Sequence, residues 1–195
     1  MLFRSLWNPL VGSHRSGNPG HPIRILDVAT GSGDVPLGLW KKAKAAGIPL
    51  EIAGCDISPT AIDAAKRHAP DLHFFVHDVL RDPLPTGFDV VTCSLFLHHL
   101  DDEEGIVLLK RMADAAGSLV LVNDLSRSRF NFVSVWIACR VLTRSRVVRF
   151  DGPASVRSAY SPSEALALAE RAGLSGATVR SRFPCRYLLQ WTKHE

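Results

Sequence analysis

The sequence predicts an α/β domain: a mostly parallel, seven-stranded sheet with helices on both faces and an antiparallel strand in its C-terminal part. Three observations predict it. Short runs rich in Val, Ile, Leu and Phe alternate with helix-like segments along most of the chain. These runs are apolar nearly throughout instead of alternating with polar residues, as expected of parallel strands covered on both faces. The last stretch differs, with two strand-like runs in close succession around Pro184.

Taken in order, residues 8 to 22 are rich in Gly, Pro, Ser and His and read as part of a flexible lead-in over 1–22. Ile23 to Val28, Leu50 to Cys55, Leu72 to Val76, Phe88 to Cys93 and Ser118 to Val122 read as strands. Val35 to Ala46, Thr60 to His68 and Glu103 to Ala115 read as the helices between them, joined by right-handed crossovers. Ser58-Pro59 supplies a capping hydroxyl and a first-turn proline for the second helix. Ser163 to Ala172 is helical and stops at Gly173. Ala177 to Arg182 and Arg186 to Trp191 then form an antiparallel pair. The 195 residues are read as one domain with a variable insertion over 126–162.

Cys55, Cys93, Cys139 and Cys185 are dispersed and form no Cys-x-x-Cys pair, so neither a zinc knuckle nor a disulfide framework is indicated and a reducing cytoplasm is expected. The first residues lack the apolar core and cleavage site of a secretory signal. The net charge of +4 is modest but uneven: Arg127, Arg129, Arg140, Arg144, Arg146 and Arg149 lie in a stretch without acids between Asp124 and Asp151. A solvated basic face, an anionic acceptor, an acyl-carrier partner and a membrane surface are all compatible with it. No recognition motif for nucleic acid accompanies it, and none is expected to bind.

The run from Ile25 to Asp34, ILDVATGSGD, joins the first strand to a glycine turn. Gly31 and Gly33 allow a sharp turn and close approach to a ligand. A dinucleotide fingerprint would place its third glycine where Pro36 stands, and the carboxylate of Asp34 would repel a pyrophosphate. A nicotinamide or flavin cofactor is therefore the weaker reading. A cationic, phosphate-free ligand such as S-adenosylmethionine suits the turn flanked by Asp27 and Asp34. Residues after successive strands share one crevice in such sheets, and here they include Thr30, Asp56, Asp78, Ser94 through His99, Asn123 and Asp124. Asp56 stands about 20 residues beyond the glycine turn, where a carboxylate accepts from a ribose diol.

These residues, in this order, resemble the class I S-adenosylmethionine-dependent methyltransferases, and DVATGSGD is most similar to the ubiquinone/menaquinone-biosynthesis C-methyltransferase branch. The resemblance covers residues 23 to 125 and implies a Rossmann-like sheet and S-adenosylmethionine as cofactor. It further implies Gly31 and Gly33 under the methionine part, Thr30 and Asp34 near its ammonium, Asp56 on the ribose and Asp78 at the adenine amino group. Asp27, Ala29, Ile57, Val79 and Ser94 complete the implied cofactor set. Ala29 replaces the commoner first glycine of the motif. The region before the first strand is shorter than in the quinone branch, and the segment after the fifth lacks that branch's pattern. A looser likeness runs to small bacterial methyltransferases of polyketide and aromatic-lipid pathways.

Methyl transfer needs alignment more than a nucleophilic residue, but a base assists when the acceptor is a phenol or an enolisable carbon. His98 and His99 follow the fourth strand, where the resemblance places residues nearest the transferred methyl, and one of them is expected to act. Capping or backbone bonding is the plainer alternative for each. No metal site is expected. Phe130 to Leu142 is apolar nearly all round and reads as a lid, a dimer contact, an interfacial anchor or a core helix. Trp136, Arg149, Arg157 and Tyr160 are expected to approach a small, largely apolar acceptor: aromatic, quinone-like or polyketide-like. The competing expectation is a degenerate methyltransferase fold serving as a cofactor-binding partner or regulatory module.

Overall fold

The computed structural model describes residues 4–16, 21–142 and 154–193. The sheet contains β1 (Ile23–Val28), β2 (Leu50–Asp56), β3 (His73–Val76), β4 (Phe88–Ser94), β5 (Ala116–Leu125), β6 (Thr178–Arg182) and β7 (Arg186–Thr192). Its order is β3-β2-β1-β4-β5-β7-β6, with β7 alone running against its neighbours. The hairpin formed by β6 and β7 folds back so that β7 lies inside, against β5, and β6 takes the edge. The strand order reverses direction between β1 and β4, and ligands of open parallel sheets bind beyond the strand ends at such a point.

Successive residues of a strand face opposite sides, so each buried strand supplies two cores. Leu26 and Val28 of β1, with Val91, Val120 and Val122, pack under α4 (Asp102–Ala115) and α6 (Pro162–Arg171). On the other face Ile23, Ile25, Ile52, Val90, Leu119 and Leu121 meet α1 (Arg4–Ser16) and α2 (Asp34–Ala46). A smaller cluster joins Ile62 and Ala65 of α3 (Pro59–His68) to Phe74. Reciprocal capping boxes open α4 (Asp101 with Glu104) and α6 (Ser161 with Glu164), each a residue or so before the start expected from sequence. The helix α5 (Arg129–Leu142) follows β5 and covers the apolar run.

The region before β1 departs from the expected flexible lead-in, because residues 4–16 are helical. Pro9 and Gly12 argue locally against a helix, but Leu6 and Leu10 stand one turn apart and are sealed against the sheet at 0% and 2% exposure. Tertiary burial of one stripe outweighs weak helix propensity. Leu6→Ala should therefore lower the unfolding free energy by about 2–5 kcal/mol in denaturant titrations, a loss that a loose lead-in would not show.

Candidate active site

The turn after β1 is built on left-handed backbone. Ala29, Gly31 and Gly33 have φ of 53°, 56° and 79°. Ala29 thus holds, as the smallest side chain available, a conformation that favours glycine. The two glycines serve different ends. A Cβ on Gly33 would lie 2.9 Å from the Phe74 ring, so this glycine lets α2 and α3 close on each other. A Cβ on Gly31 would meet nothing within 4 Å, and the Gly31 N–H donates to Asp56 Oδ2 at 2.9 Å.

Asp56 ends β2 and is fixed from two sides, since its other oxygen accepts from the Ser58 N–H at 2.9 Å. The cap of α3 is Ser58 itself, whose Oγ accepts from the Ala61 N–H. Asp56 therefore keeps lone pairs for a ligand while both oxygens are held in place. Asp78, beyond β3, is held likewise by the Leu80 N–H at 2.9 Å and by Arg81 at 3.4 Å. Asp27 is different: it is 1% exposed and accepts from the hydroxyls of Thr92 at 2.7 Å and Thr30 at 2.8 Å. Burial pushes its carboxyl up to about 6, against the pull of the two hydroxyls, and the charge of Asp56 adds to the rise.

A cavity of about 560 Å³ opens where these turns meet. Asp56, Asp78, Glu104, His77 and His99 supply its polar lining, and Ile57, Val79, Phe96 and Leu100 are among its apolar walls. Among the described residues no lysine or arginine lines it. This set fits S-adenosylmethionine: carboxylates and apolar walls for a cationic nucleoside, and no cation to hold a phosphate. The Nε2 of His77 is buried without a hydrogen-bond partner, a polar atom available to a ligand.

Of the expected cofactor residues, Ala29, Asp56, Ile57, Asp78 and Val79 line this cavity. Asp27, Thr30, Gly31 and Gly33 form the turn beside it, with the Thr30 hydroxyl committed to Asp27. Ser94 ends β4 with its hydroxyl buried and without a hydrogen-bond partner. Asp34 does not reach the cavity, contrary to expectation. As the first residue of α2 it is turned outward, accepts from the Ser32 hydroxyl and lies 3.6 Å from His68, beside a separate groove.

The segment after β4 begins with Leu95 in left-handed conformation and closes into a short 3-10 turn, Leu97–His99. His98 is 6% exposed; its Nδ1 lies 2.6 Å from Asp124 Oδ1, and its backbone N–H donates to Asp124 Oδ2 at 3.1 Å. Asp124, fully buried, also accepts from the Leu125 N–H. The His99 ring stacks on that of His98 at 4.0 Å and lines the cavity. Burial, helped by His98, holds His99 below the usual imidazole range.

Three of the residues expected to approach the acceptor lie outside the lining of this cavity. The Tyr160 hydroxyl donates to the Leu100 carbonyl at 3.1 Å and so braces the cavity wall from behind; burial and the Asp102 carboxylate push it up to about 12. Arg157 lies over the Phe132 ring at 4.8 Å, and Trp136 on α5 is 42% exposed. None of the three lines the cavity. Arg149 lies outside the described residues. Sequence alone gives Glu104 no role and leaves Asp124 among the crevice residues. The Asp101-x-x-Glu104 capping box, immediately after His99-Leu100, is the signal that places Glu104 in the first turn beside the site.

The buried Asp27 sets a pH dependence. Its carboxyl is raised in the folded state, so its contribution to stability is complete below about pH 4 and is lost as pH rises through about 6. Asp27→Asn should flatten the decline in unfolding free energy between pH 4 and 7, a difference on the order of a few kcal/mol in chemical denaturation. A parallel decline in both proteins would mean that Asp27 does not titrate there.

Residues 25–117 match the family described as "Methyltransferase domain". Over 107 residues the chain is 36% identical to demethylmenaquinone methyltransferase of Deinococcus radiodurans, a match covering 52% of this chain and 43% of that protein. It is 47% identical over 57 residues to the ubiquinone/menaquinone biosynthesis C-methyltransferase UbiE of Rickettsia typhi, covering 29% of this chain and 23% of that one. The chain thus spans less than half the length of these relatives. Among solved structures, the plantazolicin methyltransferase BpumL with S-adenosylhomocysteine superposes with a TM-score of 0.74 at 16% identity, over 98% of this chain and 84% of that one. Magnesium protoporphyrin IX methyltransferase of Synechocystis gives 0.64 at 18% identity, over 98% and 83%. Sheet order, glycine turn and sequence similarity agree: residues 25–117 are similar to class I S-adenosylmethionine-dependent methyltransferase domains, those of the quinone-biosynthesis branch among them.

Proposed function

We propose that this chain methylates an ionisable oxygen or carbon of a small, largely apolar acceptor, of the quinone-like or aromatic class, with S-adenosylmethionine as donor. The observation that carries this reading is the buried Asp124–His98 pair, stacked on a His99 that lines the acid-walled cavity. The relatives' names support the acceptor class, being methyltransferases of menaquinone and ubiquinone biosynthesis. Free thiols at Cys55 and Cys93, both buried, support a reducing, cytoplasmic setting.

In this reading Asp56 and Asp78 hold the nucleoside, Ile57 and Val79 pack on it, and the 29–33 turn takes the amino-acid end. S-Adenosylmethionine supplies a methyl carbon already activated by a sulfonium. The protein's own tasks are alignment, exclusion of water and management of the acceptor's proton. Asp124, as a carboxylate, accepts the Nδ1–H of His98, which leaves the lone pair on Nε2. The acceptor's O–H or C–H proton passes to the stacked His98–His99 pair, of which His99 lines the cavity, and Asp124 stabilises the resulting imidazolium. The His99 ring lines the cavity and lies against the His98 ring.

Asp56→Ala should weaken S-adenosylmethionine binding in calorimetry by about 1.5–3 kcal/mol, the scale of hydrogen bonds to a charged group. His98→Gln should lower kcat by about two to four orders of magnitude, read as S-adenosylhomocysteine release, with cofactor affinity unchanged. Asp124→Asn should lower kcat through the wrong tautomer. If both His98 and Asp124 variants turn over normally, alignment alone drives the reaction. If the wild-type chain binds the cofactor but releases no S-adenosylhomocysteine with any quinone-like or phenolic acceptor, the domain is a binding module.

A further inference from the structure

The helix α5 presents an apolar stripe to solvent beside an unusual charge distribution. Val133 is 52% exposed and Trp136 42%, and the Arg140 guanidinium lies over the Trp136 indole at 3.7 Å. Positions 133, 136 and 140 are three and four apart and therefore share one helical face. The segment from 125 to 150 contains Arg127, Arg129, Arg140, Arg144, Arg146 and Arg149 and no acidic residue. At 14 residues the helix is too short to span a bilayer, for which about 20 are needed. No helix among the described residues is long and apolar enough to cross a membrane.

We infer that this face of α5 is a docking surface for the anionic headgroup layer of a lipid bilayer. An interfacial helix buries an apolar stripe at the headgroup boundary and keeps its cations among the phosphates. Valine and tryptophan flanked by arginine have that arrangement, with the indole at headgroup level and the guanidinium stem lying along it. Charge complementarity selects anionic lipid: Arg140 lies on this face, and the stretch between Asp124 and Asp151 carries no acid and five arginines besides Arg127, which pairs with Glu164. A convex helix with an apolar stripe also suits a deformable interface better than the polar rim of a protein partner. The surface lies apart from the cavity lining and does not depend on the proposed chemistry.

The test uses the full chain with two vesicle preparations, phosphatidylcholine alone and phosphatidylcholine with phosphatidylglycerol. The chain should sediment with the phosphatidylglycerol vesicles only, and high salt should release it. Arg140→Ala should lower the partition coefficient about fivefold, the scale of one arginine at an anionic surface. Trp136→Ala should lower it as well. Trp136→Phe should retain binding but lose the blue shift of tryptophan emission that accompanies it, which assigns the contact to this side chain. Circular dichroism melts identical to wild type establish that the variants are folded. Equal binding to both vesicles, or to neither, overturns the inference. So does concentration-dependent self-association in sedimentation equilibrium, abolished by Trp136→Glu, without vesicle binding: the face would then be a contact between two copies of the chain.

Discussion

The carboxylate of Asp56 is the joint on which the site depends. Parallel strands β1 and β2 end at the same level, and the turn that follows each must start its helix while leaving a hollow between them. Asp56 accepts one N–H from each turn, Gly31 from the first and Ser58 from the second. A further bond, from the Thr30 N–H to the Cys55 carbonyl, extends the pairing of β1 with β2 by one step beyond the sheet. These contacts set the mouth of the cavity before any ligand arrives, so binding has little ordering left to do. The left-handed residues Ala29, Gly31 and Gly33 are the conformational cost of that geometry.

Carboxylates recur at the strand ends, but their surroundings give them different work. Asp56 and Asp78 are braced by backbone N–H groups and face the cavity, where they can accept from a ligand. Asp27 is sealed behind them with two hydroxyls, where ionisation costs folding free energy. Asp124 is equally buried but accepts three hydrogen bonds, one of them from an imidazole, which makes it a support for the turn carrying His98 and His99. Residue type and strand-end position are shared by all four; burial and partners separate them.

Tyr160 and Asp34 show how a residue can be near a site in sequence logic and beside it in space. Tyr160 follows the variable segment and carries a polar ring, yet its hydroxyl is bound to the backbone of Leu100 and the carboxylate of Asp102. It holds the wall in place without touching the hollow. Asp34 comes directly after the glycine turn, but one step into a helix rotates a side chain by about 100°. That rotation carries it past the mouth and toward His68.

What the sequence by itself determined is what short-range pattern encodes: the alternation of apolar strands and helices, the glycine turn with its acids, and the strand-end positions of Asp56, Asp78, His98 and His99. Each follows from backbone preferences and from the period of burial, which neighbouring residues carry. The tertiary structure alone decided what depends on meetings between distant segments. It folded 4–16 as a helix, because Leu6 and Leu10 found the sheet. It tied His98 to Asp124 across 26 residues. It turned Asp34 outward and placed Trp136 on an exposed face of α5. Those outcomes rest on which surfaces come into contact and which side chains are sealed from water, and neither is carried by any single stretch of chain.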